Sequence, residues 1–443
     1  MERNAVNARQ VQIRTIFQHF ARSGSIGGIM LFFCAILAVV VANIPALSHL
    51  ENIWNVEMGF EIGNFSLKMT FLKWINDGFM ATFFFLVGLE IKRELLVGEL
   101  AQPKKAMLPI FAALGGMIFP AAIFTIFNGG TLSSNGWGIP MATDIAFAMG
   151  VLAILGKSCP TSLKVFLTAL AIVDDLGSII VLAIFYPTHD IQGIFLLYSG
   201  IITLILFLFN RLQIRNPLLY IVPGLFLWYF VLQSGIHATI AGVIIAATIP
   251  ANTRINEVRF YTTVQYYLNK FKASSSGQVN VFSSPEQLSI LHIINNRVDD
   301  INPLLNRFQV ALHGPVNFIV MPLFALANAG VAFSGDTFAS GNISIAIGIF
   351  FGLLLGKPIG IFLFSWLSVK LKIAKMPSNA SYKQLFAIGI VGGIGFTMSL
   401  FIDNLAFTNP EMIDMGKVAI LITSMIAVVI GFIAVKITAN KAE

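Results

Sequence analysis

Twelve stretches of this chain are apolar over about the twenty residues needed to cross the hydrocarbon core of a bilayer. They run at 24–44, 70–91, 106–128, 136–155, 163–186, 192–210, 216–232, 235–250, 309–333, 342–369, 384–406 and 416–436, with Gln233-Ser-Gly235 dividing the seventh from the eighth. Runs this long and this many read as helices. The fold class expected is an all-α polytopic membrane protein with twelve transmembrane helices. Charged residues make up 11% of the chain, against about 25% in a soluble domain. The net charge of +7 does not point to nucleic acid, because the charges sit in short loops between apolar runs. Of the two cysteines, Cys34 lies in the first run and Cys159 in a short loop, so neither a disulfide nor a zinc framework is implied. The polar, arginine-bearing stretch 1–23 precedes a full-length run without a small-residue cleavage pattern, which reads as an anchor helix and not a cleaved signal.

An even number of spans puts both termini on one side. Loops on that side carry Lys92, Arg93, Lys104, Lys105, Lys157, Lys164, Arg211, Arg215, Lys370, Lys372, Lys375 and Lys383; the opposite loops carry only Lys68, Lys73 and Lys417. By the positive-inside rule both termini are cytoplasmic. The chain then divides into a cytoplasmic N-terminal segment 1–23, helices one to eight over 24–250, a cytoplasmic polar loop 251–306, helices nine to twelve over 307–437, and a cytoplasmic tail 438–443. The outer segment 60–67 alternates around Gly63-Asn64, a pair suited to a two-residue hairpin turn. The loop 251–306 is mostly aperiodic and serine-bearing, with partial disorder expected and a short interfacial helix at its tyrosine-rich start, 259–267.

Within the apolar runs stand Asp77, Asp144, Asp174, Asp175 and Lys357, with Glu90 and His237 near helix ends. Ionisable groups at membrane depth mark ion or proton pathways. One carboxylate at the centre of a membrane helix costs about 2.5–3.5 kcal/mol on insertion scales, and Asp174 and Asp175 are adjacent. One step on a helix turns them about 100° apart, so one can face an ion while the other faces a partner. Lys357 is the obvious partner. Pro140 lies three residues before Thr143 and four before Asp144, so the helix there should be interrupted. Freed carbonyls, the Thr143 hydroxyl and the Asp144 carboxylate are hard oxygen ligands that suit sodium or lithium. Gly392-Gly-Ile-Gly-Phe-Thr397 reads either as a second break or as a face for close helix packing. Glu90 alone reads as a charged interface flank. His237 reads as a buried structural histidine, though a lone histidine also titrates near neutrality. An intramembrane aspartyl protease needs Gly-x-Gly-Asp and a facing aspartate on another helix; no such motif occurs, and the central acids share one helix. A passive channel has no use for a buried lysine paired to a site acid.

Several motifs, in order along the chain, resemble the NhaA-type sodium/proton antiporters: Phe84-Phe-Leu-Val-Gly-Leu-Glu-Ile-Lys-Arg-Glu-Leu95, Ala142-Thr-Asp-Ile-Ala-Phe-Ala148, Ala171-Ile-Val-Asp-Asp-Leu-Gly177, Ser234-Gly-Ile-His-Ala-Thr239, Phe324-Ala-Leu-Ala-Asn-Ala-Gly330, Gly356-Lys-Pro358 and Gly393-Ile-Gly-Phe-Thr-Met398. The resemblance implies two inverted three-helix repeats whose broken helices cross near the midplane, an architecture the NhaA transporters themselves exemplify. It implies a sodium or lithium site at Asp174 and Asp175 helped by Thr143 and Asp144, with Lys357 paired to Asp174. It places Gly393 and Gly395 at the crossing, and Glu90 and Arg93, with His237, in the response to pH. It also implies electrogenic exchange of sodium for protons without a cofactor, a homodimer held by the outer hairpin, and residence in the bacterial inner membrane. The family commonly reads Arg-Leu-Glu-His where this chain has Arg307-Phe-Gln-Val310, and Gln309 cannot titrate. The loop 251–306 is also longer than the resemblance implies.

Overall fold

A computed structural model of the chain describes residues 24–62, 65–156, 159–187, 189–274, 284–332, 342–378 and 380–439. The expected N-terminal segment 1–23, the Gly63-Asn64 turn, Lys157, part of the serine-bearing stretch (275–283) and the end of the tail (440–443) lie outside the described residues.

The fold is a helical bundle with one small hairpin. After α1 (Gly24–Asn43), strands β1 (Glu57–Ile62) and β2 (Phe65–Thr70) pair antiparallel, with Glu57 opposite Thr70 and Ile62 opposite Phe65. Thr70 caps the turn that follows by accepting the Lys73 amide. A π-helical turn, Trp74–Phe79, leads into α2 (Met80–Val97), then α3 (Pro103–Asn128). The next span is broken: a 3-10 helix, Leu132–Met141, precedes α4 (Ile145–Ile154) with a 42° bend between them. There follow α5 (Thr161–Phe185), α6 (Gly193–Arg211), α7 (Leu218–Ser234) and α8 (Ile240–Thr248). Gly235, at φ +88°, closes α7 at the expected break.

Beyond an insertion over residues 251–306 come α11 (Leu304–Asn328) and α12 (Ile343–Lys370), each with an internal π turn, Val316–Val320 and Gly352–Gly356. A second broken span, α13 (Tyr382–Gly392) and α14 (Phe396–Ala406), bends by 50° before the long α15 (Pro410–Ala439). Among the described residues six helices are long and apolar enough to cross a membrane, or eight when each bent pair counts as one span. α1 and α7 contribute shorter apolar stretches.

The insertion corrects one expectation. Residues 251–306 are not mainly an irregular loop: they hold α9 (Glu257–Ala273) and α10 (Pro285–Ile301), which pack on each other. Capping explains why a polar sequence becomes helical here. Asn256 accepts the Arg259 amide at 2.9 Å, and Ser284 forms a reciprocal capping box with Gln287 ahead of Pro285 at the first helical position. The tyrosine-rich start is the middle of α9 rather than an isolated short helix. Arg215 ties the insertion to the bundle through the carbonyls of Asp300, at 3.1 Å, and Asn252, at 2.8 Å.

Burial separates the centre of the bundle from its rim. The apolar window of α5 is 61% buried, that of α6 11%. The exposed leucines and isoleucines of α6 would penalise a soluble protein but suit a helix solvated by lipid. α3 and α12 approach backbone to backbone: a Cβ at Gly115 would overlap the Gly360 carbonyl, and one at Gly360 the Gly115 carbonyl. That contact presses α12, and with it Lys357, into the middle of the molecule.

Candidate functional site

The two breaks meet. Between the 3-10 helix and α4 the backbone is extended at Ala142 and Asp144. Between α13 and α14 it opens over Gly393, Ile394 and Gly395. The Asp144 amide donates to the Ile394 carbonyl at 2.8 Å, so each break satisfies part of the other. A side chain at Gly393 would run into the Leu353 carbonyl of the α12 π turn, which is why glycine occupies that place. Phe396, at φ +26°, is held in an uncommon conformation for a bulky residue while its amide donates to Ser424 Oγ at 3.1 Å. Ser399 Oγ donates to the Ile139 carbonyl at 2.9 Å and pins α14 to the 3-10 half of the other broken span.

Four half-helix ends converge at this crossing, two amino and two carboxyl. Helix amino ends attract anions and carboxyl ends attract cations. Asp144 serves both amino ends: Oδ1 accepts the Phe147 amide of α4 at 2.9 Å, and Oδ2 accepts the Thr397 amide of α14 at 3.2 Å together with the Thr397 hydroxyl. Lys357 serves a carboxyl end, donating from Nζ to the Met141 carbonyl that closes the 3-10 helix. Its Nζ also donates to Asp174 Oδ2 at 2.8 Å. Thr143 Oγ1 lies 2.7 Å from the same Asp174 oxygen and 2.9 Å from the Gly392 carbonyl; its single proton serves one of them at a time.

Asp174 and Asp175 come from the centre of α5, and both are fully enclosed. Oδ1 of each has no hydrogen-bond partner among the described residues. Asp175 stands within electrostatic reach of Asp174, Asp144, Lys357 and Glu90. A buried carboxylate oxygen without a donor is costly. Two such oxygens are hard acceptors, chemically suited to a proton or a hard monovalent cation.

The structure therefore gathers Asp174, Asp175, Thr143, Asp144, Lys357, Gly393 and Gly395 at one place. Asp144 caps two helices there, and each of its oxygens accepts a hydrogen bond. Glu90, Arg93 and His237 lie elsewhere. Arg93 pairs with Glu94 at 3.2 Å, while Glu90 faces His313 of α11 at 3.9 Å. His237 Nδ1 lies 3.2 Å from Thr239 Oγ1 and 3.8 Å from Asp77 Oδ1, and its ring packs on Phe401 with centroids 5.2 Å apart. Gln309 is buried with neither amide atom hydrogen-bonded among the described residues.

Sequence reasoning missed Thr397, His313 and Asp403. Thr397 follows the glycine cluster by two positions, the place of a residue whose amide a helix cap must satisfy. Asp403 stands in an apolar run like the other acids and was legible by the same criterion.

A helical bundle whose two broken helices cross over buried carboxylates and a buried lysine defines a membrane transporter of ions, a class in which NhaA transporters are a standard instance. The comparisons with known proteins agree. The profile of the family described as "Na+/H+ antiporter 1" matches residues 18–435, and the chain belongs to this family of transporters. It is 42% identical over 424 residues to "Na(+)/H(+) antiporter NhaA 1" of Saccharophagus degradans, covering 95% of this chain and 91% of that protein. It is 44% identical over 425 residues to "Na(+)/H(+) antiporter NhaA" of Wolinella succinogenes (96% and 94%), and 45% over 415 residues to the protein of that name from Koribacter versatilis (94% and 90%). The chain is accordingly an integral membrane protein.

Proposed function

We propose that this protein is an electrogenic antiporter that expels sodium, or lithium, in exchange for protons at alkaline pH, and so serves pH and sodium homeostasis. The observation that carries the reading is the pair of enclosed, unpartnered oxygens on Asp174 and Asp175 beside the Lys357 ammonium.

Competition for those oxygens drives the exchange. At acidic pH protons neutralise the two carboxylates, and sodium finds no charge. At alkaline pH the carboxylates ionise and gather sodium with the Thr143 hydroxyl oxygen. Asp144 and Lys357 hold the half-helix ends while this happens. Rocking of one helix group against the other opens the site to the far side, where protons displace the ion. Two carboxylates and a lysine exchange more than one proton per sodium, so net charge moves. The membrane potential contributes about 2.3 kcal/mol per charge per 100 mV to that movement. The cytoplasmic Glu90, with Arg93 nearby and His313 opposite, is the candidate pH-responsive group, and His237 beside Asp77 a second.

In this reading the protein has twelve membrane helices with two inverted three-helix repeats, sits in the bacterial inner membrane and keeps both termini in the cytoplasm. β1 and β2 extend from the outer face and pair protomers into a homodimer, each protomer holding a complete site. Sodium-induced dequenching of a pH-sensitive dye in inside-out vesicles tests the proposal. Dequenching that grows with alkaline pH, and with a potassium–valinomycin clamp, is expected. A sodium flux indifferent to the proton gradient would contradict it.

A further inference from the structure

Asp403 lies in α14, eight residues beyond Gly395, or about 12 Å along the helix from the crossing. It is completely buried, and neither carboxylate oxygen has a hydrogen-bond partner among the described residues. Its carboxylate rests on Gly416 of α15, where a Cβ would overlap Oδ1. Next to it, Asn404 Nδ2 donates to Asn328 Oδ1 at 3.0 Å, and Asn328 Nδ2 donates to Asn76 Oδ1 at 2.9 Å. This amide chain ties together the ends of α14, α11 and the Trp74–Phe79 turn, and leaves Asp403 out.

The charged groups near Asp403 are few. Asp414 and Lys417 on α15 act on it through space, but the Lys417 ammonium points to the Gly330 carbonyl at 3.4 Å. The packed faces of the Leu132–Met141 helix and the Met321–Asn328 stretch of α11 carry no ionisable residue. His237 reaches α14 at Phe401, with Asp77 behind it.

An ionised carboxylate cannot stay in such a place uncompensated. A hard metal cation needs several oxygens at once, and here one carboxylate offers two. A proton needs only one. We propose that Asp403 is a second proton-binding site, separate from the Asp174–Asp175 pair and set between it and the outer face, where it takes up protons on their way to the crossing. Its outward placement rests on the antiporter reading above; its proton binding does not.

Two measurements separate those claims. The first is the infrared carbonyl stretch of protonated carboxyl groups in purified protein, followed over a pH series in an Asp174→Asn/Asp175→Asn background that lacks exchange. Adding Asp403→Asn should remove one titrating component, and Gly416→Ala, which keeps the acid but fills its space, should displace that component. Spectra unchanged by Asp403→Asn, or a lost component that did not vary with pH, would overturn the proposal whatever the protein transports. The second is exchange by the otherwise wild-type protein in right-side-out and inside-out vesicles. Asp403→Asn should shift the dependence on outer pH toward acid and leave that on inner pH in place, with Asp403→Glu restoring it. Equal shifts on both faces would overturn the outward role.

Discussion

The Lys357 ammonium donates to Asp174 Oδ2 at 2.8 Å and to the Met141 carbonyl, so one cation closes both an ion pair with α5 and the carboxyl end of a broken helix. Removing it leaves two groups uncompensated. Breaking a buried pair by deleting one partner costs about 3–5 kcal/mol. Lys357→Ala should lower the melting temperature in detergent. Sodium must then compete with a proton that no ammonium discourages, so exchange should begin at more alkaline pH. Lys357→Arg keeps the charge and should recover most of the stability. A Lys357→Ala protein matching wild type in both melting temperature and pH profile would refute the pairing.

Asp144 caps α4 and α14 at once. Loss of one cap costs about 0.5–2 kcal/mol, so Asp144→Ala should destabilise by roughly the sum of two such losses. Asp144→Asn keeps one carbonyl oxygen for one helix and should fall between. Differential scanning fluorimetry in detergent gives the order; equal stability of all three proteins would show that the caps carry no weight.

Glu90 and His313 face each other at 3.9 Å. If this contact tunes the response of Glu90 to pH, His313→Gln should move the alkaline onset of exchange while leaving maximal rate at high pH intact. The same shift should appear in Glu90→Gln and should not add in the double variant. Additive shifts would mean that the two act independently.

The α9–α10 insertion touches the bundle through Arg215 and carries none of the site residues. Shortening 254–298 should preserve the apparent sodium affinity measured in vesicles. A severalfold change in that affinity at fixed pH would make the insertion a regulator.

Six long apolar helices and two bent pairs were legible because lipid solvation demands long apolar runs, and the breaks because Pro140 and the 392–395 glycines interrupt helix hydrogen bonding. The acids and Lys357 were legible because ionisable groups are rare in such runs. The partition of roles among them was not. That Asp144 caps two helices follows from the approach of Thr397, 253 residues away in sequence, which no local pattern encodes. The Met141 and Gly392 carbonyls belong to the site through backbone geometry, to which side-chain patterns are blind. The α9–α10 helices escaped a hydropathy reading because capping, not periodic burial, sets their limits; only Ile290 of α10 is buried.

The central claim is that sodium and protons compete for the enclosed oxygens of Asp174 and Asp175. Proton release on adding sodium to the purified, weakly buffered protein at alkaline pH tests it most directly. Wild type should release protons saturably with sodium, and Asp175→Asn should release none while remaining folded. Sodium-induced proton release by Asp175→Asn equal to that of wild type would contradict the account.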